Sequence, residues 1–264
     1  MSQRSRIVLS IVNLLGFIAA IVVNTLSTTL PLGGRTPGQL SDQYPNLFVP
    51  AGLTFSIWGI IYILLAIFVV YAIVFSSRKP VLTDSFMERI GVLFFVTCLA
   101  NLGWIFAWQY QVLPLSLLLM IVLLCTLILI YVRLNVGNSR ASTAEKYMVH
   151  LPMSVYLGWI SIATIANVTA LLVAWRWTRF GMSEQFWAVV MIVVGIALAA
   201  LMLFRRNDIF YALVVCWALV GILLKRIADM ETPAGAVIVT AILGVCLLTV
   251  SILVQIARRR VYRG

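Results

Sequence analysis

Long apolar runs separated by short polar clusters dominate the chain. Eight can be drawn, at about 7–28, 50–76, 89–109, 112–132, 147–173, 185–204, 209–227 and 234–257. Most approach or exceed the ~20 residues that a helix needs to cross a bilayer. In hydrocarbon every backbone polar group must be satisfied internally, and a helix does this within one segment. The short alternating segments of a membrane barrel are absent. The pattern predicts an all-α integral membrane protein of eight spans. The seventh is the weakest, because its apolar stretch from Ile209 to Leu224 is short and ends at Lys225 and Arg226, whose side chains can snorkel.

Polar residues within the runs share faces. In "NLGWIFAWQY", Asn101, Trp104 and Trp108 stand at i, i+3 and i+7, which is one side of a helix. Tyr156, Trp159, Ala163 and Asn167 form a similar stripe in the fifth span, Trp58 and Tyr62 are four apart in the second, and Asn24 lies near the end of the first. A buried amide or indole N–H needs a partner. These faces therefore predict either amides that glue helices together or a pocket in which rings stack on a flat guest and amides orient it. Trp108, Tyr110, Trp175 and Trp177 are expected in the interfacial aromatic belt.

Composition sharpens this picture. The chain is 63% hydrophobic and only 10% charged, where soluble domains are roughly a quarter charged. The net charge of +11 reads as span-flanking charge, since no basic patch of base-reading character stands out. With the N-terminus inside, 14 of the 19 basic residues fall on inner segments and 5 on outer ones, while the acids divide four and four. That asymmetry of Lys and Arg alone predicts cytoplasmic termini. The first span follows Arg4 and Arg6 but is too long for a signal peptide, and "STTLPLGG" is a poor cleavage site, so it is expected to be retained. One loop is long, about Thr29 to Val49, with Pro31, Gly33, Gly34, Pro37, Gly38 and Pro45. A loop of this length tethered at both ends is a candidate lid.

Candidate chemistry is sparse. Cys98, Cys125, Cys216 and Cys246 lie in apolar runs without metal-ligand spacing and read as small buried hydrophobes. His150, the single histidine, falls at the inner start of the fifth span, as an interfacial residue or, less readily, an axial haem ligand. All eight acids sit at span ends or in loops, so no intramembrane carboxylate marks an ion path. No acid–base pair or metal set suggests an enzyme. Gly16, Gly52, Gly59, Gly91, Gly103 and Gly158 are expected at close helix contacts.

Three ordered segments carry a resemblance: "FSIWGIIYILLAI", "NLGWIFAWQYQVLPLSLLLMIVLL" and "LPMSVYLGWISIATIANVTALLVAW". Over about residues 7–177 the chain resembles the TspO/MBR family of tryptophan-rich sensory proteins. The resemblance implies a five-helix bundle, often a homodimer, with a ligand pocket beneath the loop joining its first two helices. Family members bind porphyrins, and some bind cholesterol and drug-like ligands. Carried over by position, the ligand-binding residues are Trp58, Tyr62, Asn101, Trp104, Trp159, Ala163, Thr164 and Asn167, nearly the face that spacing already selects together with Asn24.

Departures are specific. "YPNLFVPAG" offers Leu47 or Phe48 where the family loop has a tryptophan, and Ser56 replaces a proline. That tryptophan is implicated in the porphyrin breakdown reported for some members, so breakdown is not expected here. Residues 178–264 add three spans to a 1–177 bundle. The expected function is a non-enzymatic receptor or carrier in the cell inner membrane for a tetrapyrrole or similar flat lipophile. The alternative is a permease-like transporter subunit. No cofactor is required, a porphyrin or haem is the expected bound group, and the partners are the lipid bilayer, a lipophilic small molecule and a second copy, not nucleic acid.

Overall fold

The computed structural model describes residues 2–30, 32–77, 85–229 and 234–261, with side chains through residue 258. Pro31, Arg78, Lys79 and Arg263, used above for the loop and the charge count, lie outside the described residues. The helices are α1 (Gln3–Thr29), α2 (Pro37–Asp42), α3 (Ile57–Ser76), α4 (Phe86–Ile90), α5 (Leu93–Gln109), α6 (Leu113–Leu134), α7 (Thr143–Glu145), α8 (Leu151–Ala174), α9 (Glu184–Arg206), α10 (Ile209–Ala228) and α11 (Gly235–Val261). A 3-10 turn at Gly52–Ser56 leads into α3, and a π-helical turn at Lys146–His150 joins α7 to α8. Seven of the helical stretches are long and apolar enough to cross a membrane, and α5 is apolar but shorter. The fold is therefore an all-α integral membrane fold.

Local chemistry sets the boundaries. Ser2 accepts from the Ser5 N–H at the start of α1, and Thr36 with Gln39 forms a capping box on α2. Asp208 accepts from the amides of Phe210 and Tyr211 and starts α10. Pro114 and Pro152 occupy first-turn positions of α6 and α8. The expected 89–109 span is interrupted. Gly91 takes φ 54° and ψ −135°, a conformation open to glycine and closed to residues with a Cβ, so α4 ends there and α5 begins afresh.

Five helices close a ring. α1 packs on α5, α5 on α6, α6 on α8, α8 on α3, and α3 returns to α1. α9, α10 and α11 pack on one another and join the ring chiefly through α10 against α8. At that seam an added Cβ on Gly158 would come within 3.2 Å of Val214 and 3.4 Å of the Tyr211 Cα. Gly16 (against Phe95) and Gly103 (against Leu119) also mark tight contacts, but Gly52 and Gly59 face open space and Gly91 serves the turn. Two expectations for the thiols change as well. Cys98 is buried, whereas Cys125 and Cys246 are exposed on the outer face. That face also carries Leu15, Ile63, Leu118 and Leu243, side chains suited to a hydrocarbon solvent.

Polar ties, those of Asp208 buried, fasten the added helices to the ring. Asp208 accepts from Tyr131 Oη on α6 at 2.8 Å and from Ser154 Oγ on α8 at 2.6 Å. Arg206 donates to Asn135 Oδ1 at 2.7 Å. These contacts lie at the end of the bundle opposite the long loop.

Candidate functional site

Near the loop end of the ring, aromatic side chains from three helices form a ladder. Trp58 stacks on Tyr62 at 5.6 Å between ring centroids and on Trp104 at 5.8 Å, and Trp104 stacks on Trp108 at 6.3 Å. Trp159 meets Trp58 edge-on at 6.3 Å, and Tyr156 does so at 6.1 Å. Each such pair is worth about 0.5–1.5 kcal/mol beyond area burial. Helical spacing produces this: positions 58 and 62 of α3, and 101, 104 and 108 of α5, each turn one face inward.

Amides brace the rings. Asn24 Nδ2 donates to Asn101 Oδ1 at 2.7 Å and to its own helix at the Ala20 carbonyl at 2.8 Å, and Tyr62 Oη donates to the same Asn101 oxygen at 3.4 Å. Asn167 Nδ2 donates to Ser116 Oγ at 2.8 Å. α1, α3, α5, α6 and α8 thus all contribute. Four polar atoms at this level have no partner among the described residues: Asn101 Nδ2, Trp104 Nε1, Trp159 Nε1 and Asn167 Oδ1. Trp104 is 5% exposed and Trp159 3%, so these donors are sealed from bulk water, where an unmet group costs about 1–3 kcal/mol.

Trp58 separates two cavities. On one side a hollow of about 40 Å³ is lined by Trp58, Trp104, Trp108, Trp159, Ala163 and Asn167, with Phe55 and Pro50. That is room for about three waters, far less than a tetrapyrrole needs. On the other side a cleft of about 640 Å³ opens along α1 and α3 beneath the loop, lined by Asn24, Thr28, Gln39, Phe55, Trp58 and Tyr62. Gly38, Gly52 and Gly59 line it too, and side chains at these positions would narrow it. Its volume falls within the ~300–1,000 Å³ of small-molecule sites. The residues expected to form one pocket therefore divide: Asn24, Trp58 and Tyr62 face the cleft, while Trp104, Trp159, Ala163 and Asn167 line the hollow behind Trp58. Asn101, buried at 1% exposure, connects the two sets through its bonds to Asn24 and Tyr62.

The loop closes over this region as a structured cap. Trp108 Nε1 donates to the Pro37 carbonyl at 3.2 Å, Gln109 Nε2 to the Ser27 carbonyl at 3.3 Å, and Tyr44 Oη to Gln111 Oε1 at 3.1 Å. Trp108 is consequently not a belt residue, because its indole is buried and fixed to the cap. Tyr110 and Trp175 do stand exposed. α10 grips the cap from the other side. Ala51 N–H donates to the Gly221 carbonyl at 3.0 Å, Trp217 Nε1 to the Thr54 carbonyl at 3.0 Å, and Lys225 Nζ pairs with Asp42 at 2.5 Å. Lys225 was expected to snorkel; here its ammonium meets a carboxylate of the cap instead.

The family model for TSPO-like protein matches residues 10–254. The chain belongs to the TSPO-like family. No curated protein and no solved structure matches it. The family match runs past the segment that carries the recognisable motifs and includes α9, α10 and most of α11, so in this TSPO-like chain the helices that grip the cap fall within the matched region.

Sequence reasoning passed over Ser116, whose signal was a lone hydroxyl near the loop end of an apolar run, and left Tyr156 out of the site although it lies on the Trp159 stripe. His150 lies at the start of α8 and is buried within the protein, with Nε2 at 3.5 Å from Glu145 Oε1, itself paired with Arg89 at 2.7 Å. It lies about 13 Å along the helix from Trp159 by helical rise, so it does not join the ladder. Leu47 and Phe48, standing where the family loop has tryptophan, are buried and line a different cavity, between the loop, α8 and α9.

Proposed function

We propose that this TSPO-like membrane protein is a receptor or carrier for a flat lipophilic ligand of the tetrapyrrole class. The observation that carries this reading is the cleft beneath the cap, whose wall presents the Trp58 and Tyr62 members of a stacked ladder next to the Asn24–Asn101 pair. A planar apolar guest gains ring contact there, while the amides and the loop hydroxyls supply orientation. The unmet indole donors behind Trp58 support the same reading, because a shift of the Trp58 ring on binding joins hollow and cleft. The reading assigns no catalytic step. It places both termini in the cytoplasm, supported by the bias of Lys and Arg between loops.

The test is titration of the detergent-purified protein with a free-base porphyrin, followed by porphyrin absorbance. Trp58→Ala is expected to weaken binding by about fivefold, and Trp58→Phe to restore most of it, since one aromatic pair is worth about 1 kcal/mol. Equal affinities for parent, Trp58→Ala and Tyr62→Ala variants sink the assignment.

A further inference from the structure

A cavity of about 440 Å³ lies between the cap, the end of α8 and the start of α9, apart from the ladder. Its wall is mostly apolar, including Phe48, Leu172, Trp187 and Ala188, and it carries three charged residues, Arg176, Arg179 and Glu184. Neither guanidinium has a hydrogen bond or ion pair among the described residues, and both are exposed. The hairpin bearing them is strained: Arg176, Arg179 and Phe180 have φ of 52°, 58° and 52°, values uncommon for residues with a Cβ. Trp187 Nε1 holds the turn by donating to the Arg179 carbonyl at 2.9 Å, and Trp177 packs on Trp187 at 5.0 Å. Strained backbone persists where its surroundings over-determine it, and it collects at ligand sites.

We infer that this cavity is a phospholipid site, selective for a head that joins a phosphate to an ammonium. The apolar wall takes acyl chain. Guanidinium forks match phosphate oxygens, and the Glu184 carboxylate suits a cation and disfavours a second negative charge. The position fits as well, because helix ends with exposed Trp175 and Phe180 lie where lipid headgroups lie. Leu47 and Phe48, both buried, line this site and not the ladder.

The experiment is native mass spectrometry of the full chain in mixed micelles with phosphatidylethanolamine, with diacylglycerol of the same chains, and with free phosphoethanolamine. Phosphatidylethanolamine is expected to bind about tenfold tighter than diacylglycerol, the factor that one moderate charge-assisted contact supplies. The double variant Arg176→Gln, Arg179→Gln should erase that preference. Ala188→Trp should abolish binding of both lipids; Leu172→Trp provides a second filled cavity should the first variant misfold. Equal binding of the two lipids by the parent, or undiminished binding by a folded filled variant, overturns the site. Displacement of the lipid by free phosphoethanolamine at equal concentration overturns the claim that the lipid body is recognised.

Discussion

Gly221 offers the sharpest test of how the added helices act. A Cβ built on it would lie 1.9 Å from Thr54 Oγ1, 2.8 Å from Cγ2 and 2.9 Å from Cβ. Thr54 is 2% exposed and β-branched, so its side chain has no room to turn away. Gly221→Ala must therefore push α10 off the 3-10 turn at Gly52–Ser56. Overpacking of this kind costs about 1–3 kcal/mol. Losing the Ala51 N–H bond to the Gly221 carbonyl adds about 0.5–1.5 kcal/mol. The combined ~1.5–4.5 kcal/mol corresponds to a rise of about 12-fold to about 1,600-fold in opening of the cap against α10. Hydrogen exchange read by mass spectrometry on peptides covering residues 43–56 measures it directly, with the Ala51 amide expected to exchange faster by that factor. Peptides from α6, which touch neither partner, should be unchanged. Thr54→Gly removes all three clashing atoms and should return the double variant towards parental exchange. If Gly221→Ala leaves the cap peptides protected, or Thr54→Gly rescues nothing, then α10 does not hold the cap.

Three further outcomes are expected. Asn24→Leu leaves Asn101 without its 2.7 Å partner in a buried setting, so detergent-state stability should fall by about 1–3 kcal/mol, with part of the loss recovered in Asn24→Leu, Asn101→Leu; additive losses in the double variant would argue against a direct pair. Asp208→Ala removes the α10 cap and the acceptor of Tyr131 and Ser154, and thermal unfolding should show a loss of about 3 kcal/mol or more, starting at α9–α11. Trp108→Phe keeps the ring but loses the 3.2 Å bond to Pro37; protease cleavage within residues 32–44 should quicken several-fold, consistent with about 1 kcal/mol, and an unchanged rate would show that the bond does not restrain the cap.

Residue order alone settled the class of the fold, because a bilayer leaves the backbone one economical solution and apolar run length measures it. It also settled which side chains face inward. Trp58 with Tyr62, Asn101 with Trp104 and Trp108, and Trp159 with Asn167 follow from 3.6-residue periodicity, which is local. Three matters needed the third dimension. One was the break at Gly91, where a single residue's φ and ψ divide an apolar run that hydropathy reads as continuous. Another was the splitting of the site: periodicity puts Trp58 and Trp104 on inward faces, but only helix separation decides that they stack on each other and leave the open cleft on the α1 side. The last was the task of α10. Lys225, Trp217 and Gly221 meet Asp42, Thr54 and Ala51 across more than 160 residues of chain, and no local pattern encodes a contact whose energy depends on how two distant surfaces fit.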